Sequence, residues 1–237
     1  MIAGLRLQQR PQALLLDAGD TLIFFDAAAV ATELGALGVS VDPAALDRAL
    51  HPAKRAYQAR LTAGHHHEDG WNVLMSELLT RSGVEREVAQ RHLPTLRLVH
   101  DDFYFWRKVP LDLVAALQRA RVNGIRLAIV SNSEGRLRYV LERLGLFSYF
   151  ELVIDSHLEG VQKPDPEIFR RALARLGVRP ERSVYAGDIP EVDVHGAERV
   201  GMHGVLIDGG DHYAALTTVA RARSVAALID ALLALPD

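Results

Sequence analysis

Short apolar runs that stop abruptly at a polar residue recur along this chain, and helix-like segments lie between most of them. The runs cover residues 14–16, 125–130, 152–154, 183–186 and 205–207. Short apolar runs bounded by turn-forming residues are typical of strands that are buried on both faces of a parallel sheet. Strands that alternate with helices are connected by right-handed crossovers. The pattern therefore predicts an α/β fold whose core is a doubly wound, Rossmann-like parallel sheet.

The segment between the first and second runs lacks this pattern, because no strand-like alternation is found between residues 27 and 100. Apolar residues there recur at the three- to four-residue spacing of amphipathic helices. The predicted helices cover residues 27–37, 43–63, 71–81 and 85–100. We therefore expect an all-helical cap domain over residues 27–103, inserted into a core domain made of residues 1–26 and 104–237. The aromatic residues 103–106 are expected to pack at the hinge.

Residues that start and stop helices mark the core segments. Asn123-Gly124 predicts the end of a helix over residues 110–123. Asp165, Pro166 and Glu167 combine an N-cap, a first-turn proline and an early acid, which together predict the start of another helix. Further helices are expected over about 134–144, from about Asp193, and over 224–234.

The composition excludes several classes of function. The chain has 237 residues, no cysteine and a formal net charge of −3. The lack of cysteine excludes disulfides, thiol catalysis and cysteine-based zinc sites. Because the net charge is negative, the chain has no excess of positive charge that would favour binding to nucleic acid or to anionic membranes. The N-terminus holds no apolar core for a signal peptide, and no apolar segment approaches the ~20 residues of a membrane span. We therefore expect a cytoplasmic protein.

Polar residues follow three of the predicted strands, namely Asp17, the pair Ser131-Asn132, and Asp188. Asp193 lies five residues beyond Asp188, near the start of the next helix. Ligands of open parallel sheets bind beyond the carboxyl ends of the strands. If the strands are parallel, these residues share that edge.

Three carboxylates at one edge would repel one another, since two unit charges ~4 Å apart interact by about 4 kcal/mol at an effective dielectric constant near 20. A cation among them would remove that repulsion, and oxygen ligands completed by water suit Mg²⁺. Lys163 and the Ser131 hydroxyl offer groups for an anion on the other side. A hard cation, a cationic side chain and a carboxylate together predict a phosphoryl-transfer site.

Four stretches carry a resemblance to a known family, namely LLLDAGDTL (14–22), IVSNS (129–133), VQKPDPEIF (161–169) and YAGDIPEVDVHGA (185–197). With these stretches in this order and spacing, the chain resembles the haloacid dehalogenase superfamily of hydrolases, in the subfamily with a small helical cap inserted after the first motif. The resemblance covers nearly the whole chain. It implies Mg²⁺-dependent hydrolysis of a small phosphorylated metabolite through an aspartyl-phosphate intermediate.

The resemblance also implies roles for individual residues. Asp17 would be the nucleophile that takes the phosphoryl group. The groups that would hold the phosphate are those of Lys163, Ser131 and, as a second candidate, Asn132. The groups that would bind Mg²⁺ are the Asp17 carboxylate, the main-chain carbonyl of Gly19 and the Asp188 carboxylate, with Asp193 supporting the ion from the outer shell or through water.

The first motif departs from the family pattern. Phosphatases of this family usually carry a second aspartate two residues after the nucleophile, where it protonates the leaving oxygen and later activates water. Gly19 stands at that position, and the acid stands instead at Asp20, where glycine is common. General acid–base catalysis is typically worth ~10²–10⁴ in rate. We therefore expect slow turnover, a preference for good leaving groups, or an acid supplied by the cap, where His65, His66 and His67 are candidates.

Three alternatives remain open. A 2-haloacid dehalogenase also lacks the second aspartate, but it needs no metal and typically lacks the Gly187-Asp188 pattern found here. Phosphonoacetaldehyde hydrolase lacks the acid as well and uses a Schiff-base lysine of its cap, for which Lys54 is the candidate before the hinge. The third alternative is a phosphate- or partner-binding protein with little turnover, although a site without function has no physical need to keep Asp17 and Lys163.

Overall fold

The computed structural model describes residues 2, 4–62 and 70–237. The candidate acids His65, His66 and His67 lie outside the described residues. The chain divides into two compact units. The core unit comprises Met1–Phe24 and Lys108–Asp237, and the inserted unit comprises Phe25–Arg107.

The strands of the described chain form one large sheet and one small sheet. They are β1 (Ala13–Leu16), β2 (Phe24–Phe25), β3 (Trp106–Lys108), β4 (Arg126–Ser131), β5 (Leu152–Asp155), β6 (Ser183–Gly187), β7 (His203–Ile207) and β8 (Arg221–Ala222). The large sheet has the order β5-β4-β1-β6-β7-β8, and all of its strand pairs are parallel. This arrangement confirms the predicted Rossmann-like core.

Two features of the strands were not predicted from the sequence. A sixth strand, β8, extends the large sheet beside β7, and β2 and β3 pair with each other in a separate two-stranded sheet. Strands β2 and β8 are two residues long and β3 is three residues long. Segments this short carry too few residues for a periodic pattern to stand out.

Ten α-helices lie within the described residues. They are α1 (Ala27–Ala36), α2 (Pro43–Thr62), α3 (Gly70–Arg81), α4 (Arg86–Phe103), α5 (Leu113–Val122), α6 (Leu137–Arg143), α7 (Ser156–Glu159), α8 (Pro166–Leu176), α9 (His195–Glu198) and α10 (Val225–Leu233). The first four make up the inserted unit, where the sequence predicts helices and no strands.

Asp26 ties together the two ends of the inserted unit. Its side chain caps α1 by accepting a hydrogen bond of 3.2 Å from the Ala29 amide. Its other carboxylate oxygen pairs with the Arg107 guanidinium at 2.9 Å, and its amide donates to the Phe105 carbonyl at 2.8 Å. One acid thus starts the first helix and joins the entry and exit of the chain.

The helix signals of the core unit have the expected structural effect. The Asp165 carboxylate accepts a 2.8 Å hydrogen bond from the Glu167 amide, with Pro166 as the first residue of α8. At the end of α5 the chain reverses at Gly124, whose φ of 81° is the left-handed conformation that glycine adopts without a steric penalty.

The segment after β6 differs from its predicted form. Instead of a helix that begins at Asp193, one π-helical turn, Pro190–Val194, leads into the single turn of α9. Within this turn the Asp193 carboxylate lies back toward the start of the turn, where Oδ2 accepts a 2.9 Å hydrogen bond from the Ile189 amide. Local π-helical turns of this kind are frequent at functional sites.

One face of the sheet is packed against α8. Leu15, Val130 and Tyr185, from three adjacent strands, lie in one buried cluster with Phe169 of α8. The register places Leu15 of β1 directly beside Tyr185 of β6. This packing holds the centre of the sheet, from which the polar residues at its carboxyl edge project. No helix in the described ranges combines the length and the apolar character that a membrane span requires.

We expect Leu15→Ala to lower the free energy of unfolding by about 2–5 kcal/mol, because the side chain is fully buried in the central strand and its loss leaves a cavity. Chemical denaturation with circular dichroism measures this change. The matched control is Leu111→Ala, whose side chain is fully exposed and whose loss should change stability by less than about 0.5 kcal/mol. Equal effects of the two substitutions would contradict the proposed core.

Candidate active site

The carboxyl edge of the sheet brings the sequence-predicted residues together. Asp17 directly follows β1, and its amide continues the ladder by donating to the Ala186 carbonyl at 2.8 Å. Strands β4 and β6 flank β1 on either side. Ser131 therefore ends one neighbour of β1, and Asp188 follows the other. These three positions lie side by side because parallel strands end at a common edge.

Three carboxylates converge at this edge. One oxygen from each of Asp17, Asp188 and Asp193 lies within 4.8 Å of the others. Asp17 and Asp193 are buried, with 7% and 1% of their surfaces exposed, whereas Asp188 is half-buried. Gly187 makes the approach of Asp193 possible, because a Cβ atom at position 187 would lie 2.3 Å from the Asp193 carboxyl carbon. The close packing therefore requires glycine before Asp188.

Lys163 is buried among these acids, with 3% of its surface exposed. Its ammonium group donates to Asp17 Oδ1 at 2.7 Å, to Asp193 Oδ1 at 2.6 Å and to the Tyr185 hydroxyl at 2.8 Å. A lysine ammonium has three protons and accepts no hydrogen bond. All three donors are therefore satisfied by these side chains.

Burial and neighbouring charges both shift the pKa values of Lys163, Asp193 and Tyr185. Burial by itself lowers the pKa of Lys163, but the charges of Asp17 and Asp193 outweigh it and raise the pKa above its usual value. Burial raises the pKa of Asp193, and Asp17 adds to this increase, while Lys163 opposes it only in part. Burial, and then the charges of Asp193 and Asp17, raise the pKa of Tyr185 well above its usual value. Lys163 is therefore cationic, and Tyr185 is a neutral phenol.

The donor set fits a hard divalent cation. Three carboxylates face one lysine, so their charges are not balanced by the side chains of the cluster. Burial is the main reason that the pKa of Asp193 is raised, and the positive charge of Lys163 offsets this increase only in part. Carboxylate oxygens at this spacing suit Mg²⁺, which takes oxygen ligands and keeps several waters. Gly19 lies in the turn that follows Asp17, and its carbonyl remains a predicted ligand.

Ser131 and Asn132 play different parts in the structure. The oxygen and the nitrogen of the Asn132 side-chain amide both pair with the main chain of Lys163. Asn132 Oδ1 accepts from the Lys163 amide at 2.8 Å, and Asn132 Nδ2 donates to the Lys163 carbonyl at 2.9 Å. Asn132 thus holds the loop that carries Lys163. The Ser131 hydroxyl has no hydrogen-bond partner among the described residues, which leaves it available for a phosphate oxygen.

The turn after Asp17 is closed by main-chain hydrogen bonds and has an acid at its left-handed position. The Ala18 carbonyl accepts hydrogen bonds from the amides of Leu22 and Ile23 at 2.9 and 3.0 Å. Asp20 has a φ of 56°, the left-handed conformation in which glycine is unstrained and aspartate is tolerated. The acid therefore occupies the position that the turn would assign to glycine, and Gly19 stands where a catalytic acid is expected.

Thr21 follows in the same turn. Its hydroxyl oxygen is buried and has no hydrogen-bond partner within the described chain. A buried hydroxyl without a partner typically costs 1–3 kcal/mol. Thr21 therefore carries a buried hydroxyl that lacks an acceptor in the described part of the chain, two residues after Gly19.

Sequence reasoning missed three residues that support the site. The Asp155 carboxylate accepts hydrogen bonds of 3.0 and 3.2 Å from the amides of Gly135 and Leu137, which shapes the loop after β4. The Ser156 hydroxyl accepts from the Ser133 amide at 3.1 Å in the same loop. Tyr185 is the third. A tyrosine inside an otherwise apolar buried strand was the available signal, because a buried phenol normally has a hydrogen-bond partner.

Lys54, the candidate Schiff-base lysine, lies in α2 of the inserted unit and is half-buried. It is a neighbour of Arg55 in the charged segment of that helix. The described contacts of the carboxylate cluster involve residues of the core unit.

Comparison with known proteins agrees with this geometry. The sequence profile of the haloacid dehalogenase-like hydrolases matches residues 11–201. Haloacid dehalogenase-like hydrolase domain-containing protein 3 of Mus musculus is 32% identical over 217 residues, which cover 87% of this chain and 84% of that protein. The phosphoserine phosphatase of Thermus thermophilus is 41% identical over 107 residues, which cover 44% of this chain and 43% of that enzyme.

A solved structure shows the same fold. The magnesium-bound HAD-hydrolase YfnB of Bacillus subtilis is similar with a TM-score of 0.71 at 19% sequence identity, and the match covers 95% of this chain and 100% of that chain. The arrangement of sheet and helices is thus shared by chains of widely different sequence.

We expect Mg²⁺ to raise the melting temperature by several degrees, and by more at pH 8 than at pH 5, because a cation that binds only the folded state stabilises it. The pKa of Asp193 is raised on folding, so its contribution to stability is present at low pH and is lost as the pH rises through that raised pKa. Bound Mg²⁺ should offset this loss, whereas at low pH a proton on Asp193 competes with the ion.

Thermal unfolding at constant ionic strength, with and without Mg²⁺ at each pH, measures the increase in melting temperature. Asp188→Asn should abolish the Mg²⁺-dependent increase, whereas Asp47→Asn, at an exposed position of α2, should leave it intact. An unchanged increase in the Asp188 variant would show that the ion binds elsewhere.

Proposed function

The chain belongs to the haloacid dehalogenase-like hydrolases, and from this membership we propose that it is a Mg²⁺-dependent phosphatase of small phosphorylated metabolites. The observation that carries the proposal is the convergence of Asp17, Asp188 and Asp193 around the buried ammonium of Lys163. The relative named phosphoserine phosphatase supports a phosphorylated substrate. The site lies at the sheet edge where open α/β folds bind ligands.

Asp17 is the proposed nucleophile because of its position and its free oxygen. It stands at the end of the central strand, and within the described residues its carboxylate accepts a hydrogen bond only at Oδ1, from Lys163. Oδ2 is therefore the oxygen that attacks phosphorus in line. The bond from phosphorus to the leaving oxygen breaks as the new P–O bond forms, and an aspartyl phosphate results.

The other residues orient the phosphoryl group and balance its charge. Lys163 offers its positive charge beside the attacking carboxylate, and the Ser131 hydroxyl donates to a phosphate oxygen. Asp17, Asp188 and the Gly19 carbonyl would hold Mg²⁺, with Asp193 supporting them. Bound Mg²⁺ supplies positive charge that stabilises the phosphoryl group as its charge is redistributed. Water then cleaves the acyl–phosphate bond, which releases inorganic phosphate and restores Asp17.

Gly19 narrows the range of substrates. Without a carboxyl group at this position, the leaving oxygen must depart without that acid and water must be activated by another base. Acyl and aryl phosphates leave readily as anions, so they are the substrates that suffer least from the loss. We therefore propose a preference for phosphates with good leaving groups.

The competing functions differ in the product released, in the need for metal and in the need for Lys54. A 2-haloacid dehalogenase would release chloride from a chlorinated acid without metal, and a phosphonoacetaldehyde hydrolase would need Lys54. A binding protein would hold Mg²⁺ with no turnover. The carboxylate cluster favours the phosphatase, because dehalogenation of this kind needs no metal and would leave three converging acids without a role.

We expect Mg²⁺-dependent release of phosphate from acetyl phosphate or p-nitrophenyl phosphate, and Asp17→Asn should reduce it by about 10³-fold or more because the nucleophile is removed. A colorimetric phosphate assay measures the rate. Asp47→Asn serves as the control, since its carboxylate lies exposed on α2. Release of chloride from a 2-chloro acid without metal, and no release of phosphate, would overturn the proposal.

We expect the exchanged pair Gly19→Asp with Asp20→Gly to increase kcat for alkyl phosphates by about 10²-fold, within the range that a general acid–base typically supplies. The double substitution restores an acid at position 19 and places glycine at the left-handed position 20.

The comparison of substrates separates this effect from a general activation. The gain should be large for alkyl phosphates and small for acetyl phosphate, whose leaving group needs no proton. The single variant Asp20→Gly is the matched control and should leave kcat for both substrates near that of the wild type. An equal gain for the two substrates would contradict a role in protonating the leaving group.

A further inference from the structure

Tyr185 reaches the carboxyl edge of the sheet from inside its core. It belongs to β6 and is fully buried. Its ring lies 5.0 Å from that of Phe169, edge to face, in the cluster packed against α8. This packing fixes the ring, and the hydroxyl group at its tip is therefore held at a defined place beneath the carboxylate cluster.

The hydrogen bonds of this hydroxyl can be assigned in direction. Lys163 can only donate, so the 2.8 Å contact uses a lone pair of the Tyr185 oxygen. The hydroxyl proton has two acceptors within reach, the Val130 carbonyl at 2.7 Å and Asp193 Oδ1 at 3.4 Å. The shorter contact is the better hydrogen bond. The proton therefore points to the main chain of β4, and the lone pair faces the ammonium group.

The Lys163 ammonium group is thus held by the phenol oxygen of Tyr185 and by two carboxylates. Its other two protons go to Asp17 Oδ1 and Asp193 Oδ1, at 2.7 and 2.6 Å. If the phenol oxygen were absent, the third proton would have no partner in a site where Lys163 is 3% exposed. Turning away from Asp17 toward another acceptor or toward water would then lower the free energy of the lysine, since an unpaired buried donor costs free energy.

We propose that Tyr185 is a positioning residue, whose hydroxyl oxygen anchors the Lys163 ammonium so that it stays aligned with the nucleophile Asp17. This inference rests on the proposed phosphatase function for its kinetic consequence, but the contact itself is independent of that function. Tyr185 does not touch the substrate in this role. It acts through Lys163, because it keeps the ammonium group beside Asp17 while negative charge moves from the Asp17 carboxylate to the phosphoryl group.

The test is Tyr185→Phe, which removes one oxygen and keeps the ring that packs on Phe169 and lies 5.4 Å from the Lys163 nitrogen. We expect kcat for acetyl phosphate to fall by about 10- to 100-fold, the usual range for loss of one hydrogen bond to a charged group, with a change in KM of less than about threefold. The matched control is Tyr149→Phe, because within the described residues the Tyr149 hydroxyl contacts only Gln118, at 3.4 Å on the surface. This control should keep the wild-type kcat.

A double-substitution cycle distinguishes anchoring from a packing role. In a Lys163→Met background the hydroxyl has no ammonium group to anchor, so Tyr185→Phe should leave the residual rate unchanged and should lower the melting temperature less than it does in the wild type. Additive effects on both rate and melting temperature would overturn the proposal. An unchanged kcat in Tyr185→Phe, with active wild-type enzyme, would overturn it as well.

The melting temperatures also separate this inference from the proposed function. If the wild type releases no phosphate, the phosphatase proposal fails, and the anchoring contact is still tested by the stability cycle. A smaller loss in the Lys163→Met background then supports the contact, whereas equal losses in the two backgrounds refute it.

Discussion

The buried ammonium of Lys163 is the interaction on which the carboxyl edge of this protein depends. Asp17 and Asp193 approach each other in a site that excludes most water, and each carboxylate accepts a hydrogen bond shorter than 2.8 Å from the same ammonium nitrogen. Removing one partner of such a buried arrangement would leave an uncompensated charge, which is far more costly than the loss of a surface ion pair. The lysine compensates only part of the charge, and the remainder favours a divalent cation.

The lysine is held by hydrogen bonds from several parts of the core unit. Asn132, directly after β4, pairs with both main-chain groups of Lys163, and the Tyr185 hydroxyl meets its side chain. Asp155 and Ser156, at the end of the next strand, shape the loop that follows Ser131. Neighbouring strands thus supply the polar groups that place one cation. Such support from surrounding hydrogen bonds is what keeps a catalytic arrangement within narrow tolerances.

The turn after Asp17 is held by main-chain hydrogen bonds. The Ala18 carbonyl accepts hydrogen bonds from the amides of Leu22 and Ile23, and Asp20 takes the left-handed conformation. Aspartate tolerates that conformation better than most other residues do. The turn therefore accommodates an acid at position 20, and glycine leaves position 19 without a side chain that could transfer a proton.

The sequence by itself determined the class of fold and the order of its elements, because apolar runs that end in polar residues predict buried parallel strands whichever way their side chains pack. It also indicated that Asp17, Asp188 and Asp193 lie near one another, since parallel strands end at a common edge and Asp193 follows Asp188 closely. The place of Lys163 in the site was implied by the family resemblance. It did not indicate Tyr185 as a partner of Lys163, the pairing of Asn132 with the lysine main chain, the π-helical turn at Pro190–Val194 or the sixth strand. The sixth strand is too short for a pattern to stand out, and the π-helical turn goes with a local hydrogen bond between Ile189 and Asp193. The partners of Lys163 depend on the register between strands and on contacts between residues far apart in the chain, such as Tyr185 with Val130 and Lys163. Only the tertiary structure decided them, because the direction in which a buried polar group makes its hydrogen bonds depends on which neighbours the fold provides.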